Sequence, residues 1–286
     1  MSGQRTALVT GCSSGVGLHA AVRLAEAGWR TIATMRDLAK QGPLQEAAKA
    51  AGVTLAVDRL DVADAAAIGP AVERLLANFG AIDLLVNNAG AGFLGSVEQT
   101  SDADLRRTME VNFFGVWNLT KALLPHMRER RSGRVISVTS VGGIVGQPFN
   151  EAYCAAKFAV EGMMEGLAPL ARQMGVFVSV VEPGPINTEF VNSVLSTSDA
   201  TRAPPAPPYD AILANYMRGS GDMFRTYGQT GDDIARIIVD VANAEAPPFR
   251  VLTSDFAKMF VQAKLADPTG AKIVDLFAAR LAGPKT

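Results

Sequence analysis

Thr6-Ala-Leu-Val-Thr-Gly-Cys-Ser-Ser-Gly-Val-Gly17 is the stretch that decides how this chain folds. Five residues suited to a strand run into Gly and Ser, and then into an amphipathic run, Gly17 to Ala27, with Leu18, Val22 and Ala25 on one face. Gly11, Gly15 and Gly17 let the backbone turn tightly and let another group come close to it. The helix that follows points unpaired N–H groups and the positive end of its dipole at the turn, which suits a pyrophosphate. A Gly-rich turn can be only a turn. Here it sits between a strand and a helix, the context that dinucleotide binding requires. The candidate contacts are Gly11, Ser13, Ser14, Gly15, Val16 and Gly17.

Outward from this unit the same alternation repeats. Further strands are expected at 31–34, 53–57, 82–86, 134–140, 176–181 and 249–253, with helices at 44–51, 65–79, 102–130, 150–173 and 232–244. Strands alternating with helices imply a parallel sheet of about seven strands covered on both faces. No linker divides the chain, so residues 1–286 read as one α/β domain, with a cofactor-binding half over about 1–130 and a catalytic and substrate half over about 131–286. Residues 187–228 break the pattern with a Pro-rich patch at 203–208 and scattered aromatics, an excursion that reads as a lid. The tail, 256–281, reads as amphipathic helix packed on the body.

Composition excludes several classes of function. Hydrophobic residues make up 48% of the 286, enough for a large core, and the net charge of −1 comes with no basic stripe for nucleic acid or anionic lipid. No apolar run is long enough to span a bilayer and the start lacks the regions of a signal peptide. Two cysteines, Cys12 and Cys154, without a paired motif fit a reducing cytoplasmic setting. His19 and His126 are the only histidines, too few for a His-based metal site, and no metal is expected.

Other positions at strand ends carry chemistry. An acidic residue after the second strand would bind a ribose 2′-hydroxyl, whereas an Arg accommodates a 2′-phosphate. This chain has Arg36, whose planar fork suits phosphate, with Ser14 able to add a hydroxyl, so NADP(H) is favoured and NAD(H) is possible. Asp37 weakens that reading, and both charges can be ordinary loop residues. Asp61, followed by Val62, can meet the adenine or can cap the next helix. Asn87-Asn-Ala-Gly90 offers Asn88, Ala89 and Gly90 for close passage of the cofactor, or is an Asn-rich turn. Asn112, in an apolar stretch, needs a partner, either structural or a water leading to Lys157.

Tyr153 and Lys157 are one helical turn apart, with Ser140 closing a strand thirteen residues before the tyrosine. Such a pair is commonly a solvated one on a helix surface. If it faces inward, the ammonium should lower the tyrosine pKa and poise it to exchange a proton with a carbonyl or alcohol oxygen, which Ser140 would orient.

Taken together and in order, TGxxxGxG at 10–17, Asp61, NNAG at 87–90, Asn112, Ser140, YxxxK at 153–157 and Pro183-Gly184 resemble the short-chain dehydrogenase/reductase family over nearly the whole chain. The resemblance implies a Rossmann-type doubly wound sheet and hydride transfer between a nicotinamide and an alcohol or carbonyl. It implies Asn112, Ser140, Tyr153 and Lys157 as catalytic positions, and adds Pro183, Gly184, Ile186 and Thr188 to the cofactor contacts. It also implies a homodimer or homotetramer through the helices at 102–130 and 150–173.

Residues 10–19, 33–38, 142–150 and 267–270 are similar to the branch of that family acting on 17β-hydroxysteroids such as estradiol, and on retinol. A steroid-like hydrophobic substrate is therefore expected, in an apolar slot of Val141, Val145, Pro185, Phe190 and Phe224. The steroid branch places a His and a Glu against the far hydroxyl of its substrate; here the matching positions are Gly219 and Arg280, and no His follows residue 126. A broad carbonyl reductase for small ketones, or a silent nucleotide-binding sensor, are the alternatives.

Overall fold

The computed structural model describes residues 4–187 and 207–282. Its centre is a seven-stranded sheet, all parallel, in the order β3-β2-β1-β4-β5-β6-β7. The strands are β1 Thr6–Thr10, β2 Arg30–Met35, β3 Ala56–Arg59, β4 Leu84–Asn87, β5 Gly133–Val138, β6 Val176–Glu182 and β7 Arg250–Leu252. The order reverses between β1 and β4, which leaves a crevice at the C-terminal ends of those two strands, the place where open α/β sheets bind ligands.

Side-chain alternation along each strand feeds two cores. Ala7 and Val9 of β1 point to one face and Leu8 to the other; Leu84 and Val86 of β4 oppose Leu85 in the same way. The first face is covered by α1 (Gly15–Glu26), α2 (Gly42–Ala50) and α8 (Gly231–Asn243). The second is covered by α3 (Ala65–Phe79), α5 (Gly115–Glu129) and α6 (Glu151–Gln173). This period of two over two apolar layers is what a sheet buried on both sides demands.

Four boundaries differ from expectation, each for a local reason. Val53 belongs to the end of α2 rather than to β3: Gly52 has φ +68°, and the Val53 N–H bonds the Ala48 carbonyl at 3.0 Å, closing the helix before the strand starts at Ala56. The fifth strand stops at Val138, because Ser140 caps a short 3₁₀ turn, Val141–Gly143. The long helix expected over 102–130 is interrupted: α4 (Asp102–Met109) passes into a π-helical turn, Glu110–Phe114, before α5 begins. The tail is two helices, α9 (Asp255–Leu265) and α10 (Ala271–Ala282). Asp267 separates them by accepting bonds from the Thr269 and Lys272 N–H groups.

In the excursion after β6, Tyr209–Tyr227 is a helix, α7. Thr188 and Phe190, with the remainder of 188–206, lie outside the described residues. Helices α7, α9 and α10 share a third apolar cluster with the loop after β5, joining Tyr216, Val261, Ile273 and Phe277 to Val141, Ile144, Val145 and Phe149. No described helix is long and apolar enough to cross a membrane.

Candidate active site

The glycine turn is held from across the sheet. Thr10, the last residue of β1, accepts bonds at its hydroxyl from the Asn88 and Ala89 N–H groups, both at 3.0 Å. The Asn88 amide donates back to the Thr10 carbonyl at 2.8 Å and to the Gly11 carbonyl at 3.4 Å. Gly11 has φ +73°, and a Cβ there would lie 2.8 Å from Ala89 Cα; at Gly17 a Cβ would lie 2.3 Å from both Asn88 Nδ2 and the Gly11 carbonyl oxygen. Any side chain at either position would push the two loops apart. Gly15 also lies in the left-handed region, at φ +56°. Ser14 is the exposed N-cap of α1, yet its side chain makes no capping bond. The open N-terminus of α1 beside Gly11 and Gly15 fits a dinucleotide pyrophosphate, with Ser13 and Val16 half-buried alongside.

At the end of β2, Arg36 is exposed, and no carboxylate among the described residues pairs with it. The Asp37 carboxylate is instead used locally: it accepts from the Ala39 N–H as the cap of a 3₁₀ turn, Leu38–Lys40. Asp61 accepts from the Ala63 N–H at 3.0 Å, and the cap of α3 is Asp64, not Asp61. Val62 packs against Gly115, where a Cβ would meet the Val62 carbonyl oxygen at 2.7 Å.

Asn112 lies in the π-helical turn and is wholly buried. Its amide donates to the Ala91 carbonyl at 2.8 Å and the Thr108 carbonyl at 3.0 Å, and its Oδ1 accepts from the Ala91 N–H at 3.1 Å. The extra residue of the π turn lets one side chain bond its own helix and the loop after Gly90 together. A Cβ on Gly90 would stand 3.0 Å from Asn112 Oδ1 and 3.7 Å from Lys157 Nζ, so the loop, the π turn and α6 converge there.

Tyr153 and Lys157 face inward, with the Lys157 Nζ 5.7 Å from the centre of the Tyr153 ring. Lys157 is 4% exposed and donates to the Val138 carbonyl at 3.0 Å. Burial lowers its pKa to about 8, with Glu161 pulling the other way. Burial pushes the Tyr153 hydroxyl well above the ordinary phenol range, against a smaller lowering by its hydrogen bond with Ser140. This corrects the expectation that Lys157 brings the tyrosine pKa down: desolvation dominates, and the lowering comes from Ser140. Ser140 Oγ also accepts from the Gly142 N–H at 3.0 Å, which fixes its direction.

The apolar candidates divide. Val141 and Val145 are packed into the third cluster, Pro185 is buried, and Phe224 on α7 is half-buried. Pro183 is buried and Gly184 half-buried, and the Pro183 carbonyl accepts from the Val141 N–H. Ile186 forms an isolated bridge with Gln229. Gly219 and Arg280 are brought together: a Cβ on Gly219 would lie 2.7 Å from Arg280 Nε. Arg280 donates to Ser220 Oγ at 2.9 Å and lies 5.2 Å from the Tyr216 ring, whose hydroxyl accepts from Asn150 at the start of α6.

A model of the short chain dehydrogenase family matches residues 5–199. This chain belongs to that family. Retinol dehydrogenase 8 of Bos taurus is 40% identical over 276 residues, 94% of this chain and 88% of that one. The 17-beta-hydroxysteroid dehydrogenase type 1 of Homo sapiens is 38% identical over 273 residues, 93% of this chain and 83% of that one. A short chain dehydrogenase/reductase of Burkholderia phymatum, solved in complex with NAD, superposes with a TM-score of 0.79 at 25% identity, covering 93% of this chain and 94% of that one. Two solved relatives, at 26% and 25% identity, hold NADP and NAD. The chain is thus an oxidoreductase of the short-chain type.

Two parts of this dehydrogenase's site escaped the sequence reading. The Thr10 hydroxyl is the hub between the glycine turn and the loop after β4, and nothing in a lone Thr at a strand end announces that. Beneath Lys157 lie two buried carboxylates, Glu161 and Glu182, joined by the half-buried Arg250. Their signal was available, since Glu161 continues the four-residue spacing from Tyr153 through Lys157. Replacing Asn88 by Ala removes the clamp on the glycine turn and leaves buried carbonyls without a donor. The expected loss is about 1–3 kcal/mol of unfolding free energy, read by urea denaturation.

Proposed function

We propose that this short-chain dehydrogenase interconverts a secondary alcohol and a ketone on a hydrophobic lipid, with a 17β-hydroxysteroid such as estradiol as the leading substrate and NADP(H) as the preferred cofactor. The observation that carries the chemistry is the inward-facing set of Ser140, Tyr153 and Lys157 at the C-terminal edge of the sheet. The nicotinamide supplies the hydride acceptor or donor. In reduction, the Tyr153 hydroxyl gives its proton to the carbonyl oxygen while Ser140 orients that oxygen. In oxidation, Tyr153 as phenolate takes the hydroxyl proton, and the Lys157 ammonium offsets the cost of holding that negative charge in a buried place. Asn112 fixes the loop after Gly90 against the π turn; with its amide taken by backbone, its support for the site is structural.

Several features support the finer reading. Arg36 stands exposed and without a carboxylate partner among the described residues, while Asp37 is spent on a cap, which suits a 2′-phosphate. Gly11, Ser13, Ser14, Gly15, Val16 and Gly17 would hold the pyrophosphate, Asp61, Val62, Asn88, Ala89 and Gly90 the adenosine half, and Pro183, Gly184 and Ile186 the nicotinamide side. The third apolar cluster, built with α7, α9 and α10, provides a greasy wall beside Ser140. Identity to retinol and hydroxysteroid dehydrogenases over most of the chain supports a lipid alcohol rather than a small ketone. Arg280 carries donors alone, so an acceptor oxygen at the far end of the substrate suits it better than a hydroxyl that must also donate. Leu105, Phe114, Trp117, Phe158 and Leu170, exposed on α4 through α6, support the dimer proposed for these helices.

Purified protein should turn over estradiol or estrone with a nicotinamide; inactivity on every steroid, retinoid and hydrophobic ketone contradicts the proposal. Tyr153→Phe should lower kcat by roughly 10²–10⁴-fold while leaving cofactor binding, measured by fluorescence titration, unchanged. Because burial raises the tyrosine pKa, kcat/KM for oxidation should climb as pH rises, and that for reduction should fall. Arg36→Ala should raise the KM for NADP(H) far more than that for NAD(H).

A further inference from the structure

Directly beneath the lysine lies a group of charges that the reaction as described does not use. Glu161 is one turn beyond Lys157 on α6 and is 6% exposed; Glu182, the last residue of β6, is 0% exposed. The two carboxyl groups face each other, and Arg250 of β7 serves both, at 2.6 Å from Glu182 and 3.2 Å from Glu161. The same guanidinium reaches the exposed Glu165 at 3.3 Å. Glu161 Oε1 and Oε2 and Glu182 Oε2 are buried, and beyond the Arg250 contact to Glu161 Oε2 and the Thr139 hydroxyl they lack a well-aligned hydrogen-bond donor among the described residues. The Thr139 hydroxyl lies in hydrogen-bond reach of Glu161 and also 3.3 Å from the Val181 carbonyl, with one proton for the two acceptors. From the 3₁₀ turn after β5 comes only Gly143, where a Cβ would press on Glu161 Cγ at 2.9 Å.

Two buried carboxylates in contact are costly to ionise together at neutral pH beside a single guanidinium that each must share. A proton between them would supply the missing donor and turn the repulsion into a hydrogen bond. Burial and the neighbouring carboxylate raise Glu182 to about 8, and burial raises Glu161 as well. Lys157, one turn away, is held near the same value by its own burial. The titratable and charged groups that meet here are therefore Tyr153, Lys157, Glu161 and Glu165 of α6, Glu182 of β6 and Arg250 of β7.

We propose that Glu161 and Glu182 form a proton-sharing acid pair that positions charge under Lys157 and keeps its ammonium intact at alkaline pH. The role assigned to Lys157 rests on the function proposed above; the pair itself rests on the geometry alone. At neutral pH the pair holds one proton and one negative charge. As pH rises the pair releases its proton and its charge doubles, and that added charge opposes loss of the proton from Lys157. The titrations are coupled, so the lysine yields its proton later than burial alone would dictate. Glu161 and Glu182 touch no reacting atom and act through Lys157.

The test is the pH titration of Lys157 followed by the ¹³C shift of its ε-carbon in selectively labelled protein, with the resonance assigned by its loss in Lys157→Met. Glu182→Gln keeps a hydrogen bond to Glu161 but removes the group that ionises. Its Lys157 midpoint should fall by about one pH unit relative to wild type, as expected for loss of a neighbouring charge. Glu161→Gln should shift it in the same direction, and Glu165→Gln, at the exposed arm of Arg250, should not move it. Should Glu182→Gln unfold, Glu161→Gln carries the same test. Coincident midpoints in wild type and a folded Gln variant overturn the proposal. The readout needs no turnover, so failure of the proposed activity and failure of the acid pair are seen separately.

Discussion

The site depends on one clamp, the pair of loops locked together by Thr10 and Asn88. Two strands adjacent in the sheet, β1 and β4, end at the same height. Their continuations must part to leave a crevice, yet remain close enough for the glycine turn to keep its left-handed conformation. Hydrogen bonds from Asn88 to the Thr10 and Gly11 carbonyls hold that distance, and Gly11 and Gly17 leave no Cβ to spoil it. From this point the constraint passes along the chain: Gly90 and Ala91 are tied to Asn112, and the π turn carrying Asn112 packs on α6, where Lys157 sits. The glycine turn and the helix that carries Tyr153 and Lys157 are thereby parts of one connected unit, hydrogen-bonded as far as the π turn and packed from there to α6.

A phenol and an ammonium on an exposed helix face would titrate like free side chains. Here desolvation pushes both toward their neutral forms, Tyr153 upward and Lys157 downward. A neutral phenol is the form that gives a proton to a carbonyl oxygen; a phenolate is the form that takes one from an alcohol. The reaction proposed for this site would need both, and the charge beneath and beside the tyrosine would then govern how readily it moves between them.

Much of this was legible in the sequence. The strand-turn-helix around Gly11, the alternation of strands and helices, and the single parallel sheet follow from period and turn chemistry, and the family membership agrees with the ordered motifs. What sequence left open were matters of three-dimensional context. Asp61 and Asp64 both look like caps, and only the backbone shows that α3 begins at the second. Val53 is as strand-like as Val57, but the αL turn at Gly52 claims it for the helix. The π turn at Asn112 has no pattern of its own within a helical period. The sign of the tyrosine shift was misread because a one-turn spacing reveals the partner and hides the burial. The encounter of Gly219 with Arg280 joins residues of α7 and α10 that are far apart in the chain, and only the packing of the two helices brings them together.

Whether Lys157 makes the buried Tyr153 usable as a proton acceptor can be read from the pH dependence of alcohol oxidation in Lys157→Met. In that variant kcat/KM should collapse by roughly two orders of magnitude or more and its alkaline rise should move to higher pH, because the phenolate loses its nearby positive charge. A variant that binds cofactor normally and oxidises its substrate with the wild-type pH profile would contradict it.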